Sequence, residues 1–551
     1  IGLFVHPCFR PSVLPVDAHL GRILAALSEV GSAVLSAPPG TGKSTRVPPA
    51  IWRQDAHDSR KVVVVQPRRV AARALARRVA DECDTTVGSA VGYSVRFDRR
   101  VSSETRVEFV TDGLLLRRLI ADPELSDTRC VVLDEFHQRS VAMDALLALL
   151  QEARSALRDD LQLLVMSATL DPAPLAQFLG GAPIIEVASP LHAVEVEFER
   201  RADSRSLELR AAAAVRQLIE GRGFQRSILV FLPGVREIEA CAQHLSGLGV
   251  PVLPLHGRLS AVAQDRALAE ASGPRVILAT NIAETSLTVP DVCAVIDGGM
   301  ARVPRFEARF GVDQLLDQPI PRAAAEQRAG RAGRLAPGLC IRLCTAGTHH
   351  QRPAYAVPEI LRSDLAEVFL AGRAWGAEPA HLNWFEAPDP VAAHAAEELL
   401  QGLGAVGPRG LTERGRELDR LPLHPRLGAM MLYGMARGAG ISAATVATAL
   451  DDGRPISEGP RAWPDAIRRD PAAEKRRVGL LQRCRIKLGP ARLDLDEEGV
   501  AQLIAAGYPD RLGICKNDRP LRYQLANGAR VRRRGEALDA PQLLLAYSLR
   551  A

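Results

Sequence analysis

The chain is 551 residues long, 47% apolar and 24% charged, with aromatics at only 4%. These are globular values; they exclude a disordered chain, a collagen-like repeat and a small disulfide scaffold, and at roughly 100–200 residues per domain they predict about three to five domains. The net charge of +6 is compatible with a polyanionic partner.

Ile1 to Pro15 lack a basic stretch followed by a long apolar run, so no secretory signal is expected, and with an opening at Ile rather than Met the true start is expected elsewhere. No uninterrupted apolar run reaches the roughly 18 residues of a membrane span, so no membrane association is expected. The nine cysteines form no CxxC pair and no zinc spacing, which predicts buried thiols in a reducing, cytoplasmic compartment.

Two stretches alternate short β-branched runs with amphipathic helical patterns, the signature of parallel α/β layers. In the first, strands are predicted at Ala33–Ser36, Val62–Gln66, Arg106–Val110, Cys130–Asp134 and Leu161–Ser167. In the second they are predicted at Ser227–Phe231, Val252–Leu255, Arg275–Ala279, Cys293–Asp297 and Leu339–Leu343. Helices are predicted between them, for example at Val70–Ala80, Ser140–Arg154 and Val235–Leu248. The stretch Ile184–Arg205 reads as an extended, charged bridge, with the boundary near Leu191. From about Pro353 helical patterns dominate to about Leu488. Short strands return at Arg522–Leu525 and Ala529–Arg533. An apolar run at Gln542–Tyr547 close to the last residue predicts an incomplete final domain.

The predicted strand Val34–Ser36 runs into Ala37, Pro38, Pro39, Gly40, Thr41, Gly42, Lys43, Ser44 and Thr45. This is a phosphate-binding P-loop in its strand–loop–helix setting. Its glycines let successive N–H groups face phosphate oxygens, and the following helix turns its positive dipole end to the anion. Lys43 would add a point charge and Ser44 a hydroxyl for Mg²⁺. Lysine is rare here: five of the 70 basic residues, leaving 65 arginines. A lysine at that position therefore stands out.

A P-loop needs a carboxylate on the metal side. The run Cys130–Leu133 ends in Asp134 and Glu135: Asp134 would hold Mg²⁺ through a water, and Glu135, also beside the metal, would orient or deprotonate the attacking water. Asp134-Glu135-Phe136-His137 resembles the DEAH variant of the superfamily 2 helicase box, with Phe in place of Ala. The other boxes follow in order: Gln66–Arg73, Thr111-Asp112-Gly113, Ser167-Ala168-Thr169, Phe231–Gly234, Ala279–Thr288 and Gln327–Arg334. These boxes, with Ala506–Arg511 and Arg522–Leu525, resemble the bacterial HrpB type of DEAH-box ATP-dependent RNA helicase.

The resemblance implies an α/β fold of two tandem RecA-like P-loop domains (1–190 and 191–350), a winged-helix-like domain (351–422), a helical bundle (423–500) and the start of a C-terminal β domain (501–551). It implies catalytic roles for Glu135, His137, Gln327, Arg331 and Arg334, with the two arginines reaching the γ-phosphate from one helix face. Arg78 aligns with an arginine that stacks on the nucleotide base, while Gln264–Ala267 offers no aromatic for the other side. Arg68, Arg69, Thr111, Thr280, Asn281 and Thr285 would line the nucleic-acid track by phosphate contact, which carries little sequence information. Arg302–Leu315 stands where family members carry a strand-separating hairpin. The expected partner is single-stranded nucleic acid, RNA before DNA, with ATP and Mg²⁺ as cofactors and 3′ to 5′ motion of a monomer. A DNA helicase and a nucleotide-gated ribonucleoprotein clamp without processive unwinding are the alternatives. A small-molecule P-loop kinase has no use for the second layer.

Overall fold

A computed structural model describes residues 13–55, 57–188, 192–257, 259, 261–269, 273–284, 289–334, 336–453, 460–515, 522–532 and 543–545. The expected boundary at Leu191 and the predicted contact residue Thr285 lie outside them.

The first sheet holds β1 (Ser32–Ser36), β2 (Lys61–Gln66), β3 (Val91–Val95), β4 (Asp98–Arg100), β5 (Val107–Thr111), β6 (Thr128–Leu133), β7 (Gln162–Ser167) and β8 (Ile184–Glu186). They lie in the order β4-β3-β5-β2-β6-β7-β1-β8, every pair parallel except β3–β4. Val62–Val65 and Cys130–Leu133 are buried, which is why they read as unbroken apolar runs. Because β6, β7 and β1 are neighbours, the loops leaving their C-terminal ends open on one edge, where sheets of this kind bind ligands.

The second sheet holds β9 (Val194–Phe198), β10 (Ser227–Phe231), β11 (Val252–Leu255), β12 (Val276–Ala279) and β13 (Val292–Asp297). After a hairpin of β14 (Met300–Glu307) and β15 (Val312–Pro319) comes its last strand, β16 (Gly338–Arg342). The order is β11-β12-β10-β13-β16-β9, all parallel. The expected extended bridge is a correction: Ile184–Glu186 closes the edge of the first sheet, and Val194–Phe198 closes the edge of the second. The alternation Val-Glu-Val-Glu-Phe in β9 is that of a half-wet edge strand.

The chain then turns helical, as expected, apart from a two-residue hairpin of β17 (Val406–Gly407) and β18 (Gly410–Leu411). Ile360, Phe369, Leu400 and Leu418 share one apolar core with Leu115, Leu146 and Phe136 of the first layer. A separate core gathers Met430, Val446, Trp463, Leu481 and, beyond residue 500, Leu503 and Ile504. The β3–β4 turn docks onto this unit. Arg96 pairs with Asp451 at 3.1 Å, Lys475 with Asp98 at 3.2 Å, and Phe97 packs where Gly479 leaves no room for a Cβ. The last described strands are β19 (Leu512–Cys515), β20 (Arg522–Leu525), β21 (Arg530–Arg532) and β22 (Leu543–Leu545). They form an antiparallel sheet ordered β21-β20-β19-β22.

The β14–β15 hairpin is tied down along its length. The Phe306 N–H donates to the Arg362 carbonyl at 2.7 Å, Arg511 donates to the Gly311 carbonyl, and Phe310 packs on Leu525 and Ala529. It bridges the second layer to the helical part and the last sheet.

Candidate functional site

The loop after β1 turns through two glycines in left-handed backbone, Gly40 at φ +88° and Gly42 at φ +89°. A side chain at Gly42 would meet Leu14 Cδ1 at 2.6 Å, so the position needs glycine twice over. Ala37 N–H donates to the Ser167 carbonyl at 2.9 Å and Thr41 Oγ1 to the Pro38 carbonyl at 2.8 Å, which ties the loop to β7 and to itself. The helix Lys43–Gln54 starts at Lys43, so Pro38, Pro39 and the glycines precede its N-terminus, with Ser44 and Thr45 in its first turn.

Lys43 is buried. Its Nζ donates to the Ala37 carbonyl at 3.2 Å and lies 3.2 Å from Glu135 Oε1. Asp134, fully buried, accepts from Gln66 Nε2 at 2.6 Å, and the Ser44 side chain is near enough to favour its charged form. Burial and the neighbouring Glu135 push Asp134 up to about 6. Burial also acts to raise Glu135, but Lys43, then His137, outweigh it and hold Glu135 well below the usual range. Of the two carboxyls, the one beside Lys43 is thus the better ionised.

His137 Nδ1 accepts from the Ala168 N–H at 3.3 Å, so Nε2 carries the ring hydrogen; it lies 3.4 Å from Glu135 Oε2. Burial, opposed by Glu135 and assisted by Lys43 and Arg68, brings His137 down to about 4, so the ring is neutral at pH 7.

The second layer meets this group across a cleft. Gln327 Nε2 donates to Thr169 Oγ1 at 3.3 Å. Arg331 and Arg334 are close enough for each to feel Glu135. Burial, then Arg334, brings Arg331 down to about 9, and burial lowers Arg334 too. Burial disfavours the charge on both, and Arg334 adds to the cost at Arg331, which an anion bound beside them would relieve.

The expectation of one shared helix face is corrected here. The helix is Arg322–Ala329 and is capped at Gly330, so Arg331 and Arg334 stand in the turn beyond it. That turn is held by the edge of the second sheet: His192 N–H donates to the Gly333 carbonyl at 3.0 Å, and a Cβ on Gly333 would meet the His192 carbonyl at 2.6 Å. Arg328, the last arginine on the helix, turns away into its own layer. It donates to Glu284 at 2.9 Å and Asp297 at 2.8 Å and covers the Phe231 ring.

The predicted track residues do not share one environment. Arg68 feels Glu284, Glu135 and Glu359, so it sits at the cleft, whereas Arg69 feels Arg96, Asp451 and Arg476, at the seam with the helical unit. Thr111 begins the helix Asp112–Ala121 without a cap bond from its side chain, and Thr280 begins the turn Asn281–Ala283 likewise. Asn281 is exposed. Arg78 is exposed and pairs with Glu82 at 2.5 Å on the rim of a cleft of about 680 Å³, which Arg46 of the P-loop helix also lines. Gln66, Thr169 and Glu284 emerge as contributors that the motif reading did not single out, although each stands inside one of the boxes. Among the described residues no cluster of His, Cys, Asp and Glu forms a ready metal cage, and no helix is long and apolar enough to cross a membrane.

Comparison with known proteins agrees with this geometry. Residues 21–178 match the DEAD/DEAH box helicase family and residues 210–336 the helicase conserved C-terminal domain. The ATP-dependent RNA helicase HrpB of Escherichia coli (strain K12) is 38% identical over 544 residues, 97% of this chain and 65% of that protein. The ATP-dependent RNA helicase DHX33 of Homo sapiens is 36% identical over 440 residues, 76% of this chain and 62% of that protein. The chain thus spans less than two thirds of the length of these curated relatives. A crystal structure of Escherichia coli DEAH/RHA helicase HrpB matches with a TM-score of 0.84 at 37% identity, covering 97% of this chain and 68% of that one. Both α/β layers are RecA-like, and the chain belongs to the DEAH-box helicases of the HrpB type.

Proposed function

We propose that this chain hydrolyses ATP to move along single-stranded RNA, 3′ to 5′, and to unwind it. The observation that carries the reading is convergence: Gln327, Arg331 and Arg334 of the second layer meet Lys43, Glu135 and Thr169 of the first. A site completed only when two layers close makes nucleotide state a control on their angle, which is what a motor needs. The names of the relatives support RNA as the substrate. In this reading the chain supplies both Arg331 and Arg334 itself, so a monomer suffices, working in the cytoplasm where ATP and RNA are both at hand.

In this reading Lys43 has two partners in turn. It now neutralises Glu135 from 3.2 Å. A triphosphate in the loop would draw Lys43 to its oxygens and leave Glu135 beside a neutral His137, able to accept a proton from water. Gln327 would orient that water, and Arg331 and Arg334 would take up charge on the transferred phosphoryl, an effect worth about 10³–10⁵ in rate in other NTPases. The Ser44 hydroxyl and the Asp134 carboxylate, neighbours in the site, would form the all-oxygen donor pair that suits Mg²⁺. When bound, Mg²⁺ supplies charge neutralisation on the outer phosphates.

Glu135→Gln and Lys43→Ala should each abolish turnover in a folded protein. Steady-state hydrolysis at the wild-type rate by purified Glu135→Gln would refute the assignment of the base.

A further inference from the structure

The backbone that presents Glu135 is in an unusual conformation. Glu135 has φ +55° and Arg139 φ +46°, both left-handed and neither a glycine, on either side of the short turn Phe136–Gln138. Such geometry costs free energy and persists only where the surroundings hold it. Within the loop, Glu135 N–H donates to Asp134 Oδ1 at 2.8 Å, Gln138 N–H to the Glu135 carbonyl at 2.9 Å and Arg139 N–H to the Phe136 carbonyl at 3.0 Å.

Further restraint, beyond Lys43 at 3.2 Å from the Glu135 carboxylate, comes from a segment more than 200 residues away in the chain. Phe136 is fully buried, with its ring 6.2 Å from that of Phe385. The Arg139 guanidinium lies over Phe385 at 4.6 Å and donates to Glu386 Oε2 at 3.3 Å while gripping Asp144 with two bonds, at 2.7 and 3.1 Å. The Arg139 carbonyl accepts from the Glu359 N–H at 3.1 Å, and Glu359 Oε2 accepts from the Val141 N–H at 3.4 Å. The helical part that follows the two layers therefore grips both ends of the turn that carries the catalytic carboxylate.

We propose that Arg139, Phe385 and Glu386 are positioning residues for Glu135: they hold its backbone left-handed and so set where its carboxylate stands in the cleft. They act through Glu135 rather than on the nucleotide itself. Movement of the 358–386 segment against the first layer, as when nucleic acid is gripped or released, would then change the rate of hydrolysis without changing nucleotide affinity. The inference rests on the hydrolytic reading of the site.

The test uses the 551-residue chain carrying Arg139→Lys or Glu386→Gln, with Phe385→Leu as the variant that keeps the apolar filling. Lysine keeps the charge but loses the fork that Asp144 and Glu386 share. Each variant should lower single-turnover ATP hydrolysis about tenfold or more while affinity for a fluorescent ATP analogue stays within about twofold. On the residual single-turnover rate that Glu135→Gln retains at high enzyme concentration, Arg139→Lys should cause no further loss, because a residue that acts through Glu135 has nothing left to position. Equal fold-losses in both backgrounds, or wild-type hydrolysis in all three folded variants, would overturn the proposal. A crystal structure of Arg139→Lys supplies the arm that does not depend on activity: Glu135 should leave the left-handed region. Glu135 retained at φ near +55° would count against positioning even if the wild-type chain proved not to hydrolyse ATP, an outcome that would separately refute the function.

Discussion

Gln327 of the second layer donates to Thr169 of the first across 3.3 Å, a hydrogen bond between the two α/β layers beside the nucleotide loop. Thr169 stands just past β7, whose neighbour β1 carries the P-loop. Closure of the cleft is thereby registered on the strand next to the phosphates.

Thr169→Val keeps the side-chain volume and removes that bond. At about 1 kcal/mol for a hydrogen bond of this kind, the closed population should fall roughly fivefold. Strand displacement should suffer more than hydrolysis, because displacement needs closure and opening to stay in step. Parallel assays of phosphate release and of duplex displacement from a 3′ overhang check this; equal losses in the two would contradict it.

Arg328 is predicted to be structural despite its place in the arginine-rich box. Arg328→Ala strands the carboxylates of Glu284 and Asp297 in the second layer, at a cost on the order of 3–5 kcal/mol for a broken buried pair. Thermal unfolding should show a clear drop in midpoint for Arg328→Ala and little change for Arg334→Ala.

A pH signature is expected at Asp419. Burial, opposed by Arg117 and reinforced by Glu367, lifts its carboxyl from 3.8 to about 6. Its folded value lies above its unfolded one, so ionisation opposes folding: the penalty is absent below about pH 4 and complete above about pH 6. Asp419→Asn should therefore raise the melting midpoint more at pH 8 than at pH 4. A gain that is the same at both would contradict the assignment.

What could be read from the sequence was local. The P-loop and the pair of acids after β6 are each written in a few consecutive residues, and strands buried on both faces announce themselves as unbroken Val and Leu runs. The end of the Arg322–Ala329 helix was also written locally, since Gly330 and Gly333 are stop signals, yet the spacing of the arginines concealed it. Edge strand β9 looked like a linker because its alternating glutamates suit solvent. The grip of Phe385 and Glu386 on Arg139, and the burial of Arg328 between two carboxylates, join residues far apart in the chain and left no local mark.

The central claim is that Arg331 and Arg334 act on the nucleotide held by Lys43. Single-turnover ATP hydrolysis by Arg331→Ala and Arg334→Ala, measured beside nucleotide affinity, tests it most directly. The account predicts affinity within about tenfold of the wild type and a hydrolysis rate lower by about 10³ or more. Hydrolysis within about threefold of wild type in both folded variants would show that the second layer contributes nothing to the chemistry.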